Sequence, residues 1–499
     1  MTSSKNSSQS LGVNESEQLL HQLGTRSFLS LWRYSNLYKN QGQELCDLLV
    51  VFGNHVLIFS DKYCQFKDSD NLNLDWDRWF RASVEESAKQ LWGAERWIKS
   101  FPNRIFLDAA CTQPFPIPLP DPNTAIFHRI LVAHGASDRC KAKLGGSGSL
   151  MLDNQVVGKD HHTNKGGIPF VVGQIDPAKG YVHIFDDTTL NIVMETLDTI
   201  MDFVTYLSKK EEFLQSHQHI MVAGEEELLA RYRAVLDENT ERDFISPNMK
   251  SYDWISFEEG FWEHFIRSPE RLAQIQADKI SYAWDHLIEL FTKHLKQNTQ
   301  YFVTEPRHEH TEQILRFMAR EARFERRMLA QALADLALNP RTTGLSARAT
   351  PPLRRKNGTH YIFLILARDK AGSDEDYRLL RQHLLEIYCM MVKLHYPSAE
   401  DIVGIAMEPA SAPTSSQDAM YLNAHEWTVD DQAEAEALQE EFGLLKTVNE
   451  RPMHFDEYPI SQATVAGADK SQKNQRNKPC PCGSGKKYKH CCMRKRPIR

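Results

Sequence analysis

Apolar positions change their spacing several times along this chain, and each change predicts an element. Over residues 15–38, Leu19, Leu20, Leu23, Phe28 and Leu31 recur at helical intervals and predict a helix. The stretch CDLLVVFGNHVLIFSDK (46–62) follows, with two strand-length apolar runs either side of Gly53-Asn54, the pattern of a hairpin. Leu49, Val51, Val56 and Ile58 fall on one face of that hairpin, and Leu48, Val50, Leu57 and Phe59 on the other. A hairpin apolar on both faces belongs inside a layered α/β structure. A Trp-rich helix is predicted over 77–100. Strand-like runs follow at RIFLDA (104–109), HRILVA (128–133), PFVVGQI (169–175) and YVHIF (181–185), and a helical stretch over 188–215 closes this unit near residue 220.

Beyond that point the pattern turns helical and charged over 224–340, and NPRTTGLSARATPPLRRKNG (339–358) interrupts it with Pro, Gly and Thr. HYIFLILA (360–367), a helix over 374–395 and DIVGIAM (401–407) make a β-α-β unit, followed by a helix over 429–446. The predicted organisation is a polar, disordered N-terminus (1–12), an α/β domain (13–220), a helical region (224–340), a small α/β domain (359–450), a polar linker (451–478) and a cysteine-rich tail (479–499). The fold class is mixed α/β (α+β), without solenoid or propeller repeats.

A length of 499 residues fits about three domains and leaves no need for disulfide staples. Apolar runs such as 48–52 and 56–59 fall far short of the roughly 18 residues of a membrane span. MTSSKNSSQS lacks the apolar core of a secretory signal. Of the nine cysteines, Cys46, Cys64, Cys111, Cys140 and Cys389 stand alone and four crowd the last twenty residues. That distribution predicts a reducing, cytoplasmic compartment and a metal site.

The tail reads Cys480-Pro-Cys482-Gly-Ser-Gly-Lys-Lys-Tyr-Lys-His-Cys491-Cys492. Four thiolates satisfy tetrahedral Zn²⁺, and Gly483 and Gly485 allow the turn that brings the two pairs together. So short a segment has no core, so zinc would itself supply its folding free energy. His490 is a bystander beside four thiols. The C-x-C-x8-C-C spacing resembles the SEC-C motif, found at the C-terminus of the preprotein translocase ATPase SecA and on many unrelated bacterial proteins. The resemblance covers about twenty residues. It implies Zn²⁺ on Cys480, Cys482, Cys491 and Cys492, and docking to protein or ribosome. GSGKKY lacks the Ser/Thr and the earlier Gly of a phosphate loop, so ATPase activity is not supported. Residues 470–499 hold eleven Lys/Arg and no Asp/Glu; removing these from 59 leaves 48 basic against 66 acidic residues, a balance of −18. With Zn(Cys)₄ counted as −2 the tail is +9, and it should seek phosphates or acidic protein surfaces in a salt-dependent way.

If Gly53-Asn54 is a two-residue turn, Phe52 pairs with His55 and Asp47 lies opposite Ser60. Alternation then puts Lys62 on the same face as Asp47 and Ser60. A three-residue turn would instead oppose Asp47 to Asp61 and move Lys62 away. In the first register the cluster resembles the PD-(D/E)xK nuclease superfamily, whose core runs helix, hairpin with Asp then (Glu/Ser)-x-Lys, helix, strand. The resemblance covers roughly residues 13–135 and implies a restriction-endonuclease-like domain. It casts Asp47 as the ligand of Mg²⁺ or Mn²⁺, Ser60 as the variable second position and Lys62 as the group that orients water or stabilises charge. Lys89 and Gln90 on the next helix stand where some members place a supporting polar residue. Most active members carry Glu or Asp where this chain has Ser60, so a second carboxylate must come from Glu15, Glu17 or Glu44.

Other features read as structure. His161-His162 and His308-Glu-His310 lack a third ligand at a helical spacing. Trp76, Trp79, Trp92 and Trp97 pack on the hairpin more readily than they stack bases. GGSGSL (145–150) is a loop, and His128 and Arg129 begin a strand. The sequence thus predicts a divalent-metal-dependent nuclease acting on nucleic acid, DNA first, with a zinc-bound docking tail and no membrane partner. Its rival is a non-catalytic interaction protein with a decayed nuclease fold that docks to protein or ribosome.

Overall fold

The computed structural model describes residue 24 and residues 27–216, 218–236, 241–297, 307–354, 358–368, 372–413, 416–444, 456–459 and 487. Strands β1 (Arg33–Asn40), β2 (Gln43–Phe52) and β3 (His55–Tyr63) form an antiparallel meander. Helices α1 (Leu72–Trp79) and α2 (Glu86–Ser100) are one run, joined by a π-helical turn over Phe80–Glu85. Strand β4 (Ile126–His134) then lies parallel to β3. After α3 (Ser137–Leu144), β5 (Met151–Val157) and β6 (Val171–Gln174), strand β7 (Val182–Asp186) pairs parallel to β4. The first sheet therefore runs β1-β2-β3-β4-β7. Its three parallel strands end together near Tyr63, His134 and Asp186, and crevices beyond such ends are common ligand sites.

Helices α4 (Thr189–Thr196) and α5 (Ile200–Leu214) follow, then β8 (His219–Val222), α6 (Glu225–Ala234), the short pair β9 (Val235–Leu236) and β10 (Arg242–Asp243), and β11 (Trp254–Phe257). The second sheet runs β11-β8-β5-β6. Helix α6 opens with Glu225, Glu226 and Glu227, all buried. Each is tied to a different place. Glu225 takes the Lys210 ammonium and the Tyr206 hydroxyl, Glu226 the Ser147 and Ser149 hydroxyls, and Glu227 the backbone N–H groups of Gly260 and Trp262. The acids also complement the positive end of the helix dipole.

Helices α7 (Phe261–Arg267), α8 (Pro269–Asp278), α9 (Tyr282–Gln297), α10 (Arg307–Arg320) and α11 (Arg323–Leu338) precede a third sheet. It orders β12 (Leu345–Thr350), β13 (His360–Leu366), β14 (Asp401–Met407) and β15 (Gln417–Asn423). Strands β13 and β14 are parallel, with α12 (Asp374–His395) as the crossover, and α13 (Val429–Phe442) packs on α12. A Ser373–Asp376 capping box starts α12. Helices α10 and α11 pack on this sheet as well. The chain divides into two compact units, residues 1–262 with 280–449, and residues 263–279 with 450–499. In the first, one hydrophobic core runs from Phe28 through the second sheet to Ile405. In the second, Gln274 of α8 donates to Glu457.

Three element expectations are corrected. Residues 33–40 are strand, not the end of a helix, because Arg33 to Asn40 pair with Val50 to Gln43 and bury Leu37. Residues 104–109 make only isolated bridges, from Phe106 to Tyr38 and Pro114. Prolines at 114, 116, 118, 120 and 122 remove the donors a ladder there would need. The stretch 188–215 is two helices, since Thr199 caps α5 through Asp202 N–H and Asp198 turns to Arg323 and Tyr282.

Candidate active site at the hairpin

Gly53 takes φ +60°, a conformation open to glycine, and the two-residue turn sets Phe52 opposite His55. The ladder continues to Leu48↔Phe59, so Asp47 is the next residue in register with Ser60, as the two-residue turn requires. The Asp61 backbone N–H donates to Asp47 Oδ2 at 2.6 Å. Ser60 is buried and pairs with Leu131; Lys62, half-buried, lies beside Ala133 of β4. Among the described residues the Lys62 side chain makes no hydrogen bond or ion pair. Burial, with the charges of Asp47 and Glu44 beside it, pushes the Cys46 thiol well above its usual range.

On the other face of β3, the Asp61 side chain is fully enclosed. His134 Nε2 sits 2.8 Å from Asp61 Oδ1, an ion pair whose angle falls short of a hydrogen bond. His134 Nδ1 lies 2.7 Å from Asp187 Oδ1, and Asp187 Oδ2 accepts the Gly135 N–H at 2.8 Å. Burial alone would depress the imidazole, but the bond to Asp187 and the contact with Asp61 outweigh it and raise His134 to about 9. Burial likewise opposes ionisation of Asp187, and the contact with His134 and the Gly135 N–H overcome it and hold its carboxyl low. Trp79 Nε1 donates to the His134 carbonyl. Gly135 takes φ +94°, and a Cβ there would lie 2.3 Å from the Cys64 carbonyl oxygen, so only glycine fits.

The structure thus brings the Asp47 carboxylate to the Asp61 backbone, and leaves Glu44 exposed. Glu15 and Glu17 lie outside the described residues, as do the expected zinc ligands Cys480, Cys482, Cys491 and Cys492. Among the described residues no group of three or more His, Cys, Asp or Glu side chains is arranged to hold a metal. Lys89 pairs with Glu86, and Gln90 is exposed. The four tryptophans donate to backbone carbonyls, at His161, His134, Gly180 and Arg104, which fits packing. Arg129 is buried against Glu95. His128 lies 3.0 Å from His55, and burial, with the proximity of His55, lowers it to about 3. Its neighbour His183 is driven well down, first by burial. His161 is enclosed between Gly158 O and Gly173 N–H. The GGSGSL loop wraps a carboxylate, since Ser147 and Ser149 both serve Glu226. Sequence reasoning placed Asp61 on the far face without a role and passed over His134 and Asp187. Only the parallel pairing of β3, β4 and β7 joins them.

A SEC-C motif matches residues 476–494, the span that holds the four clustered cysteines. The chain is 46% identical to the Trichlorobacter lovleyi protein translocase subunit SecA over 63 residues, 12% of this chain and 6% of that protein. It is 37% identical to the Sulfurimonas denitrificans SecA over 68 residues, 14% of this chain and 7% of that one. Against the Nitratiruptor SecA it is 69% identical over 26 residues, 5% of this chain and 3% of the relative. The chain therefore spans under a tenth of the length of these relatives. No solved structure matches it. No helix among the described residues is long and apolar enough to cross a membrane. The C-terminal region carries a SEC-C motif and is similar in sequence to a segment of SecA.

Proposed function

We propose that this protein is a divalent-metal-dependent nuclease with a PD-(D/E)xK-like core formed by β1 to β4 and the helices between β3 and β4. The observation that carries the reading is the hairpin register, whose ladder runs to Leu48↔Phe59 and so leaves Asp47 and Ser60 as the next residues of the two strands, with Lys62 two residues further along β3. The order meander, helix, parallel strand supports it. Mg²⁺ keeps several waters and takes one or two carboxylates, so Asp47 with the Ser60 hydroxyl fits such an ion. When bound, the ion would supply Lewis-acid stabilisation of the phosphate and a more acidic water. Asp47 holds it; Lys62, free of ion-pair partners among the described residues, orients the attacking water or meets the charge that grows on phosphate. The SEC-C tail, with zinc on Cys480, Cys482, Cys491 and Cys492, docks the enzyme to protein or ribosome.

A second reading, a non-catalytic docking protein, is favoured by Ser60 standing where a carboxylate is usual and by the lack of a three-ligand cluster among the described residues. One experiment separates them. The intact protein is incubated with supercoiled plasmid, single-stranded DNA and RNA, with and without added Mg²⁺ or Mn²⁺, beside Asp47→Ala and Lys62→Ala. Metal addition rather than chelation is the variable, so the zinc tail stays loaded. Cleavage that needs the metal and is lost in both variants is the expected result. No cleavage by folded protein, or cleavage that both variants retain, would remove this site as catalytic.

A further inference from the structure

The Asp47 carboxylate accepts from a backbone group, the Asp61 N–H, which among substitutions at that position only proline removes. That N–H sits near the end of β3, which pairs with β4 through Asp61↔Val132 and on to Tyr63↔His134, and a chain of side chains lies on the opposite face. Asp187 takes the Gly135 N–H with one oxygen and His134 Nδ1 with the other. His134 Nε2 closes on Asp61 Oδ1 at 2.8 Å. The Asp61 side chain is fully enclosed, and among the described residues its oxygens accept no hydrogen bond, leaving the ion pair with His134. The His134 contact is thus what ties Asp61 to the neighbouring strand through a side chain. Trp79 anchors the His134 carbonyl in turn, and Gly135 turns the chain against Cys64.

We propose that Asp61, His134 and Asp187 are positioning residues that set the Asp61 N–H and so orient Asp47 for a divalent cation; the inference rests on the reading of Asp47 as the metal ligand. Groups behind a metal ligand fix its orientation and commonly change affinity by tenfold or more. The chain crosses three strands and ends at the partly exposed Asp187, so it can be weakened from its outer end without opening the core.

The test is Mn²⁺ binding by the intact, zinc-loaded protein, read from the paramagnetic resonance of free Mn²⁺, with thermal melting recorded on every variant. Asp47→Asn should lose most binding. His134→Ala should weaken it by about tenfold, and Asp187→Asn by a smaller factor. His134→Gln, which keeps an N–H donor within reach of Asp61, should recover most of the loss. In the Asp47→Asn background, Asp187→Asn should have no further effect. A purely structural role would lower the melting temperature and leave the affinity of folded protein unchanged. Wild-type Mn²⁺ affinity in His134→Ala and Asp187→Asn, with binding lost in Asp47→Asn, would overturn the positioning role and leave the metal site standing. Wild-type affinity in Asp47→Asn would instead remove the reading beneath it. Should His134→Ala fail to fold, Asp187→Asn decides, and unchanged affinity there overturns the proposal.

Discussion

Replacing His134 with Gln should remove a stabilisation that depends on pH in a defined window. In the folded chain the imidazole is raised to about 9, held by Asp187 and Asp61, against an ordinary value near 6.5. A raised folded value means the contribution is fully present below about 6.5 and is lost as pH rises through about 9. A shift of about 2.5 units corresponds to roughly 3 kcal/mol, lost at about 1.4 kcal/mol per pH unit. His128 and His183 are depressed, so their effects fall below 6.5, and the raised Cys46 and Cys140 thiols act on the alkaline side. Hydrogen exchange on peptides from β4, compared between wild type and His134→Gln at the same pH, isolates the term because intrinsic exchange cancels. The protection gap should be widest at pH 6 and close progressively towards pH 9. A gap that stays constant from pH 6 to 9.5 would refute the charged-imidazole account.

Two further outcomes follow from other sites. Arg323, buried, donates to Asp198 and Asp285 at 2.8 Å each and to the Ser281 hydroxyl. Arg323→Ala takes the cation from buried Asp198, which keeps the Tyr282 hydroxyl, and leaves half-buried Asp285 with Arg326; it should cost roughly 3 kcal/mol, seen by calorimetry as a lower melting temperature, with part of the loss recovered by adding Asp198→Asn. In the tail, elemental analysis of purified protein should find about one zinc per chain, and Cys480→Ser or Cys491→Ser should lower it, because four thiolates complete a tetrahedral site.

The hairpin was legible because Gly53-Asn54 fixes its own register, from Phe52↔His55 to Leu48↔Phe59. Strand β1 was not, because it is an edge strand with Leu37 as its one buried apolar residue, and no period of two marks it. Its conformation comes from the partner β2 rather than from its own residues. Asp61, His134 and Asp187 were invisible for a related reason. They lie 73 and 53 positions apart in the chain and meet only through parallel pairing, which leaves no local spacing to read. Glutamates are rarely buried unless paired, yet Glu225, Glu226 and Glu227 are all enclosed. Sequence gives their charge and not the Lys, Ser and backbone donors that wait for them.

That triple has a consequence for how the chain can change length. Adding or deleting one residue within the first turn of α6 rotates everything after it by about 100°. Glu225, Glu226 and Glu227 each face a separate group of donors, so a single slip would mismatch all three together. A point substitution there disturbs one attachment at a time. The start of α6 is therefore a place where drift can proceed by replacement and hardly at all by insertion or deletion.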